Sequence, residues 1–178
     1  MKQRQEPAIV VSSYHHIAEV LGQADITHVI SILGQIDKLD WPAVGIRAVL
    51  RLQFDDIIYS SGKFVAPNRE QIADLIEFCR SWNGSGALLV HCRAGSSRSP
   101  AAAMIAAAAL GRPDSAELAL RVRTARAYYR PNETMLKLAD ALISPCPGLV
   151  DLARSIPVPT RTDTWGPVRI PLNAPGGA

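Results

Sequence analysis

Short apolar runs alternate with stretches of helical periodicity along most of this chain. The apolar runs are bounded by Gly, Pro, Asp or Ser, and they predict β-strands at residues 8–11, 26–33, 46–54 and 87–90. Apolar positions that share one face predict a helix at residues 69–80 and further helices after Asp114 and Asn132. A short helix at residues 14–21 and an alanine-rich helix at residues 101–110 are also predicted. Because strands alternate with helices, we predict an α/β domain whose small, mainly parallel central sheet is flanked by helices.

The periodicity ends near residue 143, where prolines become frequent. More than half of the 13 prolines lie in residues 144–178, and no sustained pattern follows there. We therefore predict one domain over residues 7–143. A proline-rich C-terminal tail over residues 144–178 would be either wrapped over this domain or disordered.

The composition fits a folded domain rather than a disordered chain. Of the 178 residues, 48% are apolar and 20% are charged, and the formal net charge is only +3. So mild a charge gives no reason to expect a nucleic-acid partner, and the alanine-rich helix is too short to span a membrane. The three cysteines suit neither a zinc site nor a disulfide framework, and the N-terminus lacks the apolar stretch of a signal peptide. We therefore predict a cytoplasmic protein with no membrane span and no metal site.

A polar loop separates the last of these strands from the alanine-rich helix. It reads His-Cys-Arg-Ala-Gly-Ser-Ser-Arg-Ser-Pro over residues 91–100. In such a strand–loop–helix unit, successive backbone N–H groups and the positive end of the helix dipole point at one anion. Cys92 opens the loop and Arg98 closes it, so a nucleophile and a phosphate-binding guanidinium face the same place. The loop therefore predicts a phosphate site that contains a reactive thiol.

The spacing Cys-x5-Arg, with His91 before the cysteine and Ser99 after the arginine, resembles the signature of cysteine-dependent protein tyrosine phosphatases. Residues 7–143 look most like the compact dual-specificity-like members and the small bacterial tyrosine-phosphatase-like proteins. The resemblance implies a phosphatase architecture and a two-step hydrolysis of a phosphomonoester that needs neither a metal nor another cofactor. A phosphorylated protein carrying phosphotyrosine is the default substrate, and phosphoserine, phosphothreonine and phosphoinositides are the alternatives.

Two other classes of protein use a similar loop. A non-catalytic phosphoprotein-binding module keeps the fold but commonly loses the cysteine, the arginine or the acid, and this chain has all three. A sulfurtransferase of the rhodanese kind also places a cysteine loop between a strand and a helix. Its loop is generally shorter and lacks the His-Cys-x5-Arg-Ser arrangement, so a phosphatase is the better interpretation.

The residues of the loop have distinct expected roles in this chemistry. Cys92 attacks phosphorus as a thiolate, a form that Arg98 and the helix N-terminus favour over the thiol. Arg98 binds two phosphoryl oxygens at once, a geometry that lysine cannot reproduce. His91 either fixes the loop or donates hydrogen bonds, and Ser99 hydrogen-bonds the sulfur so that it leaves more readily. The predicted phosphate-binding residues are Arg93, Ala94, Gly95, Ser96, Ser97 and Arg98.

The leaving group needs a proton, and two carboxylates are candidates to supply it. Asp55 and Asp56 directly follow the strand predicted at residues 46–54, so both should lie beside the loop. Spacing alone cannot separate them. The run Leu-Gln-Phe-Asp-Asp-Ile resembles the acid segment of the family, in which the second acidic residue is the acid. We therefore expect Asp56 to be the general acid and Asp55 to support it, or merely to end the strand in a turn.

Two further residues have a structural and a functional interpretation. Cys79 lies on the apolar face of its predicted helix, so core burial is the first interpretation and a resolving thiol for oxidised Cys92 is the second. Asn132 follows Arg130 and Pro131 in a segment that resembles the family's support for the catalytic loop. Helix capping alone is enough to explain this asparagine.

Overall fold

A single five-stranded sheet forms the centre of the structure. The structure is a computed structural model, and it describes residues 6–23, 25–34, 45–112, 118, 130–155 and 166–172. Its strands are β1 (Ala8–Ser13), β2 (Ile26–Leu33), β3 (Ala48–Gln53), β4 (Ala87–Cys92) and β5 (Val168–Pro171). They lie in the order β3-β2-β4-β1-β5, and all neighbouring strands are parallel except β1 and β5. The predicted α/β fold with a mainly parallel sheet is confirmed.

Helices cover both faces of this sheet. They are α1 (Ile17–Gln23), which follows a 3-10 turn at Tyr14–His16, then α2 (Arg69–Ser81), α3 (Arg98–Ala109), α4 (Glu133–Leu142) and α5 (Leu149–Ser155). Asn68 begins α2 with a reciprocal capping box, since its side chain accepts from Gln71 N and its own N–H donates to the Gln71 side chain. The helix predicted to follow Asp114 begins outside the described residues. No helix in the described ranges is long and apolar enough to cross a membrane.

The core lies on both faces of the sheet because side chains alternate along each strand. On β1, Ile9 and Val11 join the larger apolar cluster with α2, α3, α4 and α5, whereas Ala8 and Val10 face the smaller cluster with α1. Every residue of β4 is buried, because this strand lies between β1 and β2. The site loop therefore starts from the most enclosed strand of the fold.

Strand β4 continues two residues further than its apolar run. His91 pairs with Ser12 of β1 and Ser31 of β2, and Cys92 pairs with Ser13 and Ile32. The neighbouring strands thus hold the cysteine on both sides. Because open α/β sheets bind ligands at the carboxyl ends of their strands, Cys92 lies where this fold places a ligand.

The proline-rich segment 144–178 contains two elements that the sequence does not predict. Helix α5 begins where Leu149 N and Val150 N donate to the Asp140 carboxylate of α4. Strand β5 pairs antiparallel with β1 and buries Ile170 in the core. Both elements are too short for a periodic pattern, and the partner of β5 is the first strand of the chain. Both elements lie in the segment predicted to be a tail, and the limits of the domain stay a prediction.

Candidate active site

The thiol of Cys92 lies inside the turn that its own loop makes. Gly95 N donates to Cys92 Sγ at 3.2 Å, and the Ser99 hydroxyl lies 3.3 Å from the same sulfur. Gly95 adopts a positive φ of 71°, a conformation that glycine tolerates and that turns its N–H back towards the sulfur. Helix α3 begins at Arg98, so the positive end of its dipole adjoins the same loop. These groups would all stabilise negative charge on the sulfur.

Arg98 is buried at the start of α3, with 6% of its surface exposed. Its Nη1 donates to the backbone carbonyl of Phe54 at 2.7 Å. This bond connects the loop at residues 91–100 to the residue that follows β3. Its Nε is buried, and no hydrogen-bond partner for it lies within the described residues. A buried guanidinium N–H without a partner is costly, so an acceptor such as a phosphoryl oxygen would satisfy it.

Ser99 is fully buried beneath the loop. Its hydroxyl lies 3.3 Å both from Cys92 Sγ and from the carbonyl oxygen of Ser12 in β1. A hydroxyl has one proton, so it donates either to the carbonyl or to the sulfur. The predicted contact between Ser99 and the sulfur is therefore present in the geometry.

His91 directly precedes Cys92 and has no exposed surface. Burial, helped by the nearby positive charges of Arg51 and Arg98, lowers the pKa of His91 to about 4, although a backbone hydrogen bond with Cys92 acts to raise it. The imidazole is therefore neutral near pH 7. A buried neutral ring fits the expectation that His91 fixes the loop.

The two candidate acids have different partners. Asp56 Oδ1 accepts from the Ser97 hydroxyl at 2.7 Å and from the Asn132 amide at 2.8 Å. Asp55 instead accepts from Val65 N through Oδ2 at 2.8 Å and donates its own N–H to the Val65 carbonyl. Asp56 is thus held against the loop at residues 91–100. Asp55 instead closes the segment between β3 and Val65.

Backbone contacts from two other segments support the loop at residues 91–100. Arg130 N donates to Ser96 O at 2.9 Å, and Asn132 N donates to Ser97 O at 3.2 Å. On the other side, Tyr14 N donates to Arg93 O at 3.2 Å. The contact from Asn132 is the one that the resemblance of the Arg-Pro-Asn segment predicts. The contact from Tyr14 depends on the register between β1 and β4, so no local sequence pattern predicts it.

The side chains of the remaining loop residues vary in exposure. Arg93 and Ala94 are exposed, Gly95 is buried, and Ser96 and Ser97 are half-buried. The backbone of the loop, rather than these side chains, supplies the convergent N–H groups that an anion site needs.

Cys79 is fully buried in the core, away from solvent. Burial raises the pKa of the Cys79 thiol to about 12, so this thiol stays protonated. This supports the interpretation of Cys79 as a core residue rather than as a resolving thiol. All three cysteines are free. Among the described residues, no group of three or more His, Cys, Asp or Glu is arranged to hold a metal ion.

Comparisons with known proteins agree with this geometry at the level of fold. No protein-family model matches the sequence, and no curated protein sequence matches it. Human DUSP28 has a similar structure, with a TM-score of 0.56, 24% identity, and coverage of 76% of this chain and 94% of that one. The structure of DUSP15 is also similar, with a TM-score of 0.54 and 20% identity. The match covers 88% of this chain and 97% of that one. PTPMT1 in complex with PI(5)P is similar as well, with a TM-score of 0.52 and 14% identity. The match covers 85% of this chain and 94% of that one.

The sheet and helices therefore have the same compact fold as DUSP28, DUSP15 and PTPMT1. More narrowly, the chain shares the architecture of the small dual-specificity phosphatases. The resemblance that the loop at residues 91–100 indicated is confirmed for the fold.

Proposed function

We propose that this protein is a cysteine-dependent phosphatase that hydrolyses phosphomonoesters, with phosphotyrosine in a protein as its substrate. The observation that carries the proposal is the environment of Cys92. Its sulfur accepts from Gly95 N and adjoins the start of α3, beside a buried Arg98 whose Nε has no partner within the described residues. A thiol and an anion site at one place suit the transfer of a phosphoryl group to sulfur.

The first step forms a phosphocysteine. The Cys92 thiolate attacks phosphorus, the bond to the leaving oxygen breaks, and Asp56 donates its proton to that oxygen. Arg98 and the backbone N–H groups of the loop stabilise the negative charge that spreads over the equatorial oxygens.

The second step regenerates the enzyme. Water attacks phosphorus, Asp56 takes a proton from that water, and the bond from phosphorus to sulfur breaks. The Ser99 hydroxyl, 3.3 Å from Cys92 Sγ, donates to the departing thiolate. Inorganic phosphate leaves, and no external oxidant, reductant or cofactor is consumed.

A macromolecular substrate is supported by the surface that follows Asp56. Three large hydrophobic side chains within seven residues are exposed there, namely Ile58, Tyr59 and Phe64. Hydrogen bonds in both directions between Ser61 and Phe64 order this segment although its apolar side chains stay in solvent. Ordered apolar groups that folding does not bury are typical of interaction sites.

Two alternatives have support from named structural neighbours. PTPMT1 was solved in complex with PI(5)P, so a phosphoinositide is the second candidate substrate. Another neighbour is a human tyrosine phosphatase-like serine/threonine/tyrosine-interacting protein, with a TM-score of 0.52 and 20% identity. A binding module without turnover is therefore the second candidate function. The presence of Cys92, Arg98 and Asp56 together favours the enzyme.

The decisive experiment compares wild type with Cys92→Ser on a phosphotyrosine peptide, a phosphoserine peptide and a phosphoinositide. We expect hydrolysis by wild type, fastest on the phosphotyrosine peptide, and none by Cys92→Ser. The variant should still bind the peptide, because the N–H groups and Arg98 remain. Full turnover by Cys92→Ser would overturn the mechanism, and peptide binding without turnover by wild type would favour the binding module.

A further inference from the structure

Asn132 uses both ends of its side-chain amide, and the two ends have different partners. Its Oδ1 accepts from Met135 N at 3.0 Å and so caps helix α4, while its Nδ2 donates to Asp56 Oδ1 at 2.8 Å. The partners fix the orientation of the amide, since a backbone N–H needs the oxygen and a carboxylate needs the N–H. With only 7% of its surface exposed, Asn132 presents a donor whose position the helix determines.

The same residue is attached to the catalytic loop through its backbone. Asn132 N donates to Ser97 O at 3.2 Å, and the Ser97 hydroxyl donates to the same Asp56 oxygen at 2.7 Å. Asp56 and Asn132 are 76 residues apart in sequence, and Ser97 joins them to the loop that begins at Cys92. The carboxylate is thus located by the phosphate loop and α4 as well as by its own exposed segment.

We propose that Asn132 is a positioning residue for Asp56, so that the efficiency of leaving-group protonation depends on the amide donor. The inference rests on the proposed function. Both donors within the described residues bind Oδ1, which leaves Oδ2 as the oxygen that carries the proton. A carboxylate fixed at one oxygen delivers a proton from the other along one direction, and misplacement by about 1 Å can cost two orders of magnitude in rate.

Helix capping alone would also explain why asparagine occupies this position, so the test must separate the two ends of the amide. Asn132→Ser keeps a good cap and removes the donor to Asp56. Asn68→Ser is the matched control, because Asn68 caps α2 in the same way, through Gln71 N at 2.9 Å, and has no hydrogen bond to Asp56. Asn132→Asp is a second variant that keeps an acceptor for Met135 N and likewise loses the amide donor.

The measurement is the ratio of kcat/KM on two substrates that differ in leaving group. A phosphotyrosine peptide releases a phenol with a pKa of about 10 and needs protonation, whereas 4-nitrophenyl phosphate releases a more acidic phenol and needs it less. We expect Asn132→Ser and Asn132→Asp to lower kcat/KM about tenfold on the peptide and less than about threefold on the nitrophenyl ester. Asn68→Ser should change neither value.

A double-mutant cycle with Asp56→Ala completes the test. If Asn132 acts through Asp56, Asn132→Ser should not change the ratio further once Asp56 is alanine. An equal loss on both substrates, or a loss that persists in the Asp56→Ala background, would overturn the inference and leave a capping role. Failure of the proposed function looks different: wild type would hydrolyse neither substrate, and both proposals would then be wrong.

Discussion

Arg98 Nη1 donates to the backbone carbonyl of Phe54 at 2.7 Å. Phe54 is fully buried and directly precedes Asp55 and Asp56. One hydrogen bond therefore joins Arg98, in the loop at residues 91–100, to the segment that carries the proposed acid. Because a guanidinium has five N–H donors, this contact occupies one of them and leaves others for a phosphoryl group. Under the proposed function, Arg98 is oriented before a substrate binds, which reduces the reorganisation that catalysis would otherwise require.

Arg98→Lys is predicted to lower kcat/KM on a phosphotyrosine peptide by a factor of about 10² to 10³. Lysine keeps the positive charge, but it cannot bind the Phe54 carbonyl and two phosphoryl oxygens with one planar group. Steady-state kinetics measure the loss, and Arg80→Lys, an exposed arginine paired with Glu77 on α2, is the control. Nearly wild-type activity in Arg98→Lys would mean that the charge alone is sufficient.

The two aspartates should separate into one that affects rate and one that affects stability. Asp56→Ala is predicted to lower kcat by a factor of about 10² to 10³, because the leaving oxygen loses its proton donor. Asp55→Ala removes the acceptor for Val65 N and should lower the free energy of unfolding by about 1 kcal/mol, with a smaller effect on kcat.

Kinetics on a phosphotyrosine peptide and urea denaturation of both variants measure these two quantities. The larger kcat loss in Asp55→Ala would reverse the assignment and make Asp55 the acid.

The sequence could predict what depends on local chemistry. The strand, loop and helix around residues 91–100 are contiguous, so the run of residues that forms the anion site is visible in the sequence itself. The choice between Asp55 and Asp56 is different, because the direction of each side chain depends on Ser97 and Asn132, which are 41 and 76 residues away from Asp56. Resemblance suggested Asp56, and the contacts that support this choice could not be read from spacing.

The short elements near the C-terminus show the same limit. Strand β5 has four residues and pairs with the first strand of the chain, so its existence depends on contacts that span most of the sequence. Helix α5 has seven residues and begins at a carboxylate from another helix rather than at its own capping residue. Periodicity needs longer segments than these to be recognised.

His91 should make the stability of the fold depend on pH. Its pKa is about 4 in the folded protein against 6.5 for an unburied histidine, so the unfolded chain binds the proton more tightly. The stabilising contribution is fully present above pH 6.5 and is lost as the pH falls towards 4, by up to about 3 kcal/mol. We expect His91→Gln to flatten the fall in the free energy of unfolding between pH 7 and pH 5, as measured by urea denaturation. The exposed His15, replaced by Gln, is the control, and an unchanged slope in His91→Gln would contradict a buried neutral imidazole.

The proline-rich segment makes a measurable contribution to stability if β5 packs as the structure describes. Ile170 is 1% exposed and belongs to the larger apolar cluster, while its neighbour Arg169 is exposed and its side chain donates to the Glu6 carbonyl at 3.4 Å. Ile170→Ala should therefore lower the free energy of unfolding by about 2 to 5 kcal/mol, because it removes buried methyl groups and leaves a cavity. Arg169→Ala should change it by less than about 0.5 kcal/mol. Equal midpoints for the two variants in chemical denaturation would mean that residues 168–171 do not pack on β1 in solution.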